Sequence, residues 1–395
     1  MAIPSIALIP TGTKAGKLYS VLPEDGSGDF TVVRATTATR VNENGLIESV
    51  GVNVPRLDYT NGGCPVLLTE PQSTNLVLNS ESISLTPTKN GTFVDNFAVS
   101  PDGTQNATKL TATSTDPFFY QSVAFTATSY TASIYVKGIG SSIGKDFRIV
   151  LGGTSTNPKL KVPSEWTRFE YTVLMTSGSA NAGIEIPDPA VTGDEVLVWG
   201  WQVEALSYAT SYIPNYGTSA GVTRNADQVT DSGDVNDFNS TEGVLMVEIA
   251  ALANDLTRRN IAVSDGTGNN MIQLYYNPIS NGFQGLVKSA GATSVNIFPT
   301  LSDITQINKI VFKWKVNDFA LWINGFEVGT DTSGATPIGL NELNFTEGDG
   351  VSNPFYGKTK QLQVFKSALT SLEIETLTSW ESFILMASAQ QYTIY

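Results

Sequence analysis

The chain has 395 residues and not one histidine. That absence excludes Ser-His-Asp and Cys-His nucleophilic catalysis and removes the commonest zinc ligand. Cys64 is the only cysteine, so neither an intrachain disulfide nor a cysteine zinc cluster can form. Its expected place is that of a small buried hydrophobe. Charge is scarce as well: 15% of residues are charged, against about 25% in ordinary globular domains. The net charge is −14, and the only adjacent basic pair is Arg258-Arg259. Phosphate recognition needs a basic face, so nucleic acid is not an expected partner, and an anionic membrane surface is no better. No run approaches the ~18 apolar residues of a membrane span, which argues against insertion. The opening stretch MAIPSIALIP lacks a basic region and is broken by Pro4 and Pro10, so no signal peptide is expected. Synthesis in the cytoplasm is the expectation.

What the chain does contain is apolar sequence of short period. Hydrophobic residues make up 41% and aromatics 10%, enough for sizeable cores, and the length suggests two or three domains. Residues 1–80 are irregular and rich in Gly, Pro, Asn and Thr. Asn44-Gly45 predicts a hairpin turn between Thr39–Val41 and Leu46–Val50, because a type I′ turn needs positive φ at both positions. The block holds too little periodic apolar sequence for a core of its own, so it reads as an extended segment that needs a partner surface.

Residues 81–216 alternate with period two. Tyr130, Ala132, Ile134 and Val136 oppose Thr131, Ser133, Tyr135 and Lys137. Glu195–Glu204 is expected to place Leu197, Trp199, Trp201 and Val203 on one face. Such strands, separated by polar turns, predict a β-sandwich. Residues 217–237 are polar and Gly-rich, as in a linker or docking strand. Residues 238–395 predict a second sandwich. Ile310, Phe312, Trp314 and Val316 are expected inward, and Asn324-Gly325 turns the hairpin Ala320–Gly329. Thr370 and Glu373 have capping-box spacing. The helix that follows would carry Leu372, Leu377, Trp380 and Ile384 on one stripe, with Thr393–Tyr395 closing as a strand.

Several strings are long and specific. GKLYSVLP (Gly16–Pro23), DGSGDF (Asp25–Phe30), ATTATRVNENGLIESVGVNVPRLDY (Ala35–Tyr59) and LLTEPQSTNLVLNSE (Leu67–Glu81) resemble a module of tailed phages and prophages of Bacteroidetes. YTASIYVKG (Tyr130–Gly138), WTRFEYTV (Trp166–Val173), WGWQVEALSYATSYIPNYG (Trp199–Gly217) and VTRNADQV (Val222–Val229) resemble carbohydrate-binding-module-like jelly rolls of the same proteins. WKVNDFALWINGFEVGTDT (Trp314–Thr332) and GKTKQLQVFKSALTSLEIETL (Gly357–Leu377) resemble laminin-G or concanavalin-like jelly rolls. The combination is similar to head-fibre and tail-appendage subunits of crAss-like and related phages.

The resemblance implies an all-β chain: an extended N-terminal virion-anchoring segment (1–80), two β-sandwich (jelly-roll) domains (81–216 and 238–395, joined by the linker 217–237) and a short C-terminal helix. It implies a virion protein, homotrimeric, attached through its N-terminal segment to the phage capsid or other virion proteins, a head fibre by preference, with adhesion to cell-surface or mucin glycans as a further role. A tail-fibre receptor-binding lectin is the alternative. A glycan-degrading enzyme ranks third, since the 37 carboxylates guarantee chance pairs and support no dyad.

No cofactor is expected apart from calcium, for which two oxygen-rich loops are candidates: Asp265, Asn269 and Asn270 in the first, Glu347 and Asp349 in the second. Neither has EF-hand spacing, and solvated turns are the plainer reading. For glycan stacking the candidates are the consecutive aromatics Phe118, Phe119 and Tyr120, of which at least one must point outward, and Tyr275 with Tyr276. Trp199 and Trp201 read as core.

Overall fold

The computed structural model describes residues 2–152, 157–188 and 190–380. Among the described residues the chain is all-β apart from short helical turns and one α-helix, and it forms two compact units. One unit comprises Met1–Ala35, Val50–Pro71 and Ala226–Tyr395; the other comprises Thr36–Ser49 and Gln72–Asn225.

In the first unit a large sheet is centred on Glu242–Ala251, which pairs with Asn308–Lys315 on one side and Gly357–Phe365 on the other. The hairpin Phe319–Ile323/Phe326–Asp331 extends one edge, turning at Asn324 (φ 51°) and Gly325 (φ 89°). A five-stranded sheet runs Ala292–Ile297, Phe283–Ser289, Met271–Tyr276, Arg259–Ser264, Glu342–Asn344. Period-two alternation builds the core between them. Leu245, Val247 and Ile249 meet Ile261, Val263, Ile272 and Leu274. The alternate residues Val244 and Met246 are equally buried, because the opposite face is covered by the helix Ser371–Thr378. This explains why VLMVEIAA is apolar at every position but Glu248, which accepts from Lys360 and Gln361: both faces of that strand lie in protein.

The helix begins at the expected capping box, with Thr370 accepting from the Glu373 N–H and the Glu373 carboxylate accepting from the Thr370 N–H. The expected stripe is corrected. Ile374 and Leu377 cover the sheet, whereas Leu372 is exposed. Ile384 and Thr393–Tyr395 lie outside the described residues. Val316, expected inward, falls beyond its strand at a turn and is exposed. Cys64, expected inside, follows the turn glycines Gly62 and Gly63 and is exposed.

In the second unit two five-stranded sheets face each other. One runs Thr88–Asn90, Phe118–Phe125, Gly178–Asp188, Asp146–Gly152, Leu160–Lys161, and the other Thr92–Ala98, Ala107–Thr111, Glu195–Glu204, Ser129–Ile139, Thr167–Leu174. Tyr130, Ala132, Ile134 and Val136 point into the core, as their alternation requires. Trp199 and Trp201 do not share a face. Gly200 has φ 67° and the pairing register shifts between Ser133 and Tyr135, so the strand carries a β-bulge. One extra residue reverses the alternation beyond it. Trp201 therefore enters the core, while Trp199 packs on the opposite face with Tyr212, Ala107 and Ile47.

Residues 1–80, read from sequence as one extended block, are divided between the units. Ile6–Leu8 pairs with Gly357–Phe365, Val66–Thr69 adds to the same strand, and Phe30–Val33 pairs with Gln228–Thr230. Ile6, Leu8, Phe30, Val32, Leu57 and Leu67 belong to the core of the first unit. The Asn44-Gly45 hairpin, Ala38–Val41 with Ile47–Val50, brings Ile47 against Trp199 in the second; of the pair only Gly45 has positive φ (76°), so the turn is not the expected type I′. The partner surface this block needs is the chain's own. The segment read as a linker supplies paired strands as well, with Val222–Arg224 against Ser73–Asn75.

Candidate functional site

The aromatics chosen from sequence for glycan stacking are largely inside. Phe119 is fully buried, edge-on to Trp201 at 5.9 Å between ring centroids. Phe118 and Tyr120 take the other face of the strand, as alternation demands, and stack on each other at 4.4 Å. Tyr120 is buried all the same. Its ring lies over Gly183, where a Cβ would come within 2.6 Å of it, and its hydroxyl donates to Glu185. Burial is the main reason its phenol is raised well above the usual range, with the Glu185 bond and charge adding. Only Phe118 retains partial exposure. Tyr276 is a core residue packed on Phe283, and Tyr275 is buried beneath the Arg258 guanidinium, 4.3 Å from its ring centroid. Local alternation was readable, but what covers each face is a matter of distant neighbours.

The two oxygen-rich loops lie side by side: a Cβ on Gly348 would meet the Thr267 carbonyl at 2.7 Å. Their oxygens are spent on the loops themselves. Asp265 accepts from the Thr267 N–H and hydroxyl and from Asn270 Nδ2. The Asn269 carbonyl accepts from the Gly291 N–H. Asp349 accepts from the Val351 and Ser352 N–H groups, and Glu347 from Asn353 and Arg258. Burial opposes ionisation of Asp265 and Asp349, but these hydrogen bonds outweigh it and hold both carboxyls below the ordinary value. Among the described residues no three Asp, Glu or Cys side chains are grouped closely enough to hold a metal ion.

The specific strings have a structural role that the sequence did not reveal. In the first unit Arg34, Arg56, Glu70 and Asp227 form one buried network. Arg34 donates to Asp227 at 2.8 Å and to the Gly51 and Val54 carbonyls, and Arg56 donates to both Glu70 and Asp227. In the second unit Asn75, fully buried, donates to Ser80, Trp201 and Ile213 and accepts from the Val77 and Val203 N–H groups. The buried Glu204 carboxylate accepts from Ser73, Gln202 and Thr210. Buried polar groups need such partners.

One cluster joins a buried carboxylate to an exposed ring. Glu81 Oε1 accepts from the Tyr212 and Tyr216 hydroxyls, each at 2.9 Å, and Oε2 accepts from Asn106 Nδ2 at 2.8 Å. The same Asn106 amide reaches Asp102 at 3.0 Å. Tyr212 is buried, whereas Tyr216 is 72% exposed. The backbone around Tyr216 is fixed. Tyr216 bridges Asn79, and Asn215 Oδ1 accepts from the Gly217 and Thr218 N–H groups. Burial pushes the Glu81 carboxyl up; the tyrosine hydrogen bonds oppose this and the Asp102 charge adds to it. Burial also opposes ionisation of Asp102, but hydrogen bonds from Thr104, Ser100 and Asn106 leave its carboxyl lowered. Both tyrosine phenols are raised, by burial first and then by the Glu81 charge. The result is an aromatic face held in solvent by a rigid hydroxyl tether, beside two carboxylates and an amide. Tyr216 lies in the string YIPNYG. Its only sequence signal is the turn-type residues around it, Pro214, Asn215 and Gly217.

No protein-family model and no curated protein matches the chain. Among solved structures it is similar to the CBM40 of the Ruminococcus gnavus IT-sialidase bound to alpha2,3 sialyllactose, at 15% identity and TM-score 0.32, over 37% of this chain and 91% of that one. It is similar to domain 4 of AbnA, a GH43 extracellular arabinanase from Geobacillus stearothermophilus, in complex with arabinotriose, at 14% identity and TM-score 0.31, over 39% and 73%. It is also similar to domains LG4-5 of the mouse laminin alpha1 chain, at 9% identity and TM-score 0.25, over 70% and 93%.

Proposed function

We propose that this chain is a non-enzymatic, glycan-binding appendage protein of a tailed-phage particle, a head-fibre subunit. The observation that carries the binding role is Tyr216, whose exposed ring is tethered through its hydroxyl to the buried Glu81. A sugar ring offers a C–H face that packs on an aromatic face and hydroxyls that donate to carboxylates. Tyr216 with Asp102, which keeps partial exposure, supplies both kinds of partner without ordering a loose side chain on binding. The absence of histidine excludes Ser-His-Asp and Cys-His catalysis. The particle assignment rests on the resemblance of the strings named above to phage appendage proteins, and with it go the homotrimer and capsid attachment.

A glycan array probed with the intact protein and with Tyr216→Ala tests the binding role. Signal on a defined glycan that Tyr216→Ala abolishes is the expected result. No signal from the intact protein, with or without calcium, would sink it. Labelled antibody on purified particles tests the location. Label on the head is expected, and particles that carry none overturn the assignment. Label on the tail would favour a receptor-binding tail-fibre lectin. Light scattering of the purified protein is expected to give the mass of three chains, and a stable monomer contradicts the trimer.

A further inference from the structure

The first unit carries a cleft of about 490 Å³, within the size range of small-molecule sites. Its walls are apolar: Ile3, Pro4, Leu22 and Pro23. Asp237 reaches it from a residue that is only 7% exposed. The carboxylate is half satisfied. Oδ2 accepts from the Ser27 hydroxyl at 3.1 Å and from the Asp234 N–H at 3.0 Å, while Oδ1 has no hydrogen-bond partner among the described residues. A carboxylate oxygen so placed is an acceptor only, open to a donor that enters the cleft. Glu24 at the rim adds a second negative charge, and the chain as a whole is acidic. The rim cation, Lys366, is directed to its own chain, donating to the Asn236 carbonyl at 3.0 Å.

We infer that this cleft binds a primary ammonium group on an aliphatic stem, with the ammonium on Asp237 Oδ1 and the stem against Pro4, Leu22, Pro23 and Ile3. An ammonium is a compact charge with three donors, and its methylene stem covers apolar surface. A free diamine and a lysyl side chain share this chemistry. The inference is independent of the glycan reading, which concerns the other unit.

The test is titration calorimetry of the full chain with putrescine, with Nα-acetyl-lysine amide and with 1,4-butanediol, the neutral analogue of putrescine. At least one amine is expected to bind, at least tenfold more tightly than butanediol. Asp237→Asn keeps the Oδ2-type acceptor for Ser27 and Asp234 and should weaken amine binding at least tenfold. Ser367→Trp, an exposed rim substitution remote from the core, should weaken it as well by filling the mouth. Tighter binding of putrescine assigns a free amine, and tighter binding of the lysine derivative assigns a side chain. Equal binding of butanediol, unchanged affinity in both variants, or no binding of either amine overturns the inference.

Discussion

Arg56 and Asp227 are 171 positions apart in sequence and form a buried ion pair in the first unit. Asp227 also accepts from Arg34, and its Oδ2 accepts from the Glu70 N–H at 2.9 Å. Asp227, with Glu70 on the other side of Arg56, thus neutralises two guanidiniums that have no exposure to water. Removing one partner from a buried pair leaves an uncompensated charge, which costs about 3–5 kcal/mol. Asp227→Ala is therefore expected to lower the stability of the first unit by that order in urea unfolding. A loss under about 1 kcal/mol would show that water or Glu70 takes over.

Removing Met1–Ala35 tests the place of the N-terminal strands. The deletion takes away Ile6–Leu8 and Phe30–Val33, along with Ile6, Leu8, Leu18, Phe30 and Val32 from the core. The first unit should lose its cooperative melt in circular dichroism or fail to accumulate in soluble form. A truncated protein that melts like the intact one contradicts the architecture.

Gly200 decides which tryptophan enters the core. At φ 67° an L side chain is strained by about 1–2 kcal/mol, and a Cβ there would stand 3.1 Å from the Tyr135 ring. Gly200→Ala should destabilise the second unit by about that amount in denaturant unfolding, and Gly140→Ala, also in the left-handed region (φ 55°) but with open space around it, by less.

Glu81 gives the second unit a pH dependence of definite sign. Its folded carboxyl is raised above the unfolded value, so the native state holds more protons in the interval between the two. Stability falls as pH rises through that interval. Glu81→Gln should flatten this part of the stability–pH curve. An unchanged curve would show that Glu81 titrates as it does in the unfolded chain.

Calcium removal should leave the melting midpoint of the first unit where it is. Asp265 and Asp349 already hold their loops through N–H groups, and an ion would have to displace these bonds. A midpoint that drops on chelation and returns with calcium would establish a site at these loops.

The sequence by itself determined the local grammar of this protein. Period-two alternation made the strands, Asn44-Gly45 and Asn324-Gly325 made hairpins, and Thr370 with Glu373 started the helix, because these depend on backbone geometry within a few residues. The missing histidine and the single cysteine narrowed the chemistry before any fold was known. Tertiary structure decided the rest. Phe119 and Tyr276 went inside and Tyr216 stayed out, since burial depends on which distant strand covers a face. A bulge at Gly200 separated Trp199 from Trp201. Residues 1–80 became parts of two units because their apolar side chains complete cores formed by strands far along the chain. The long strings that contain RLDY, LLTEP and TRNADQV hold Arg56, Glu70 and Asp227. Only folding brings these charges together, because attraction between them is strong only where water is excluded.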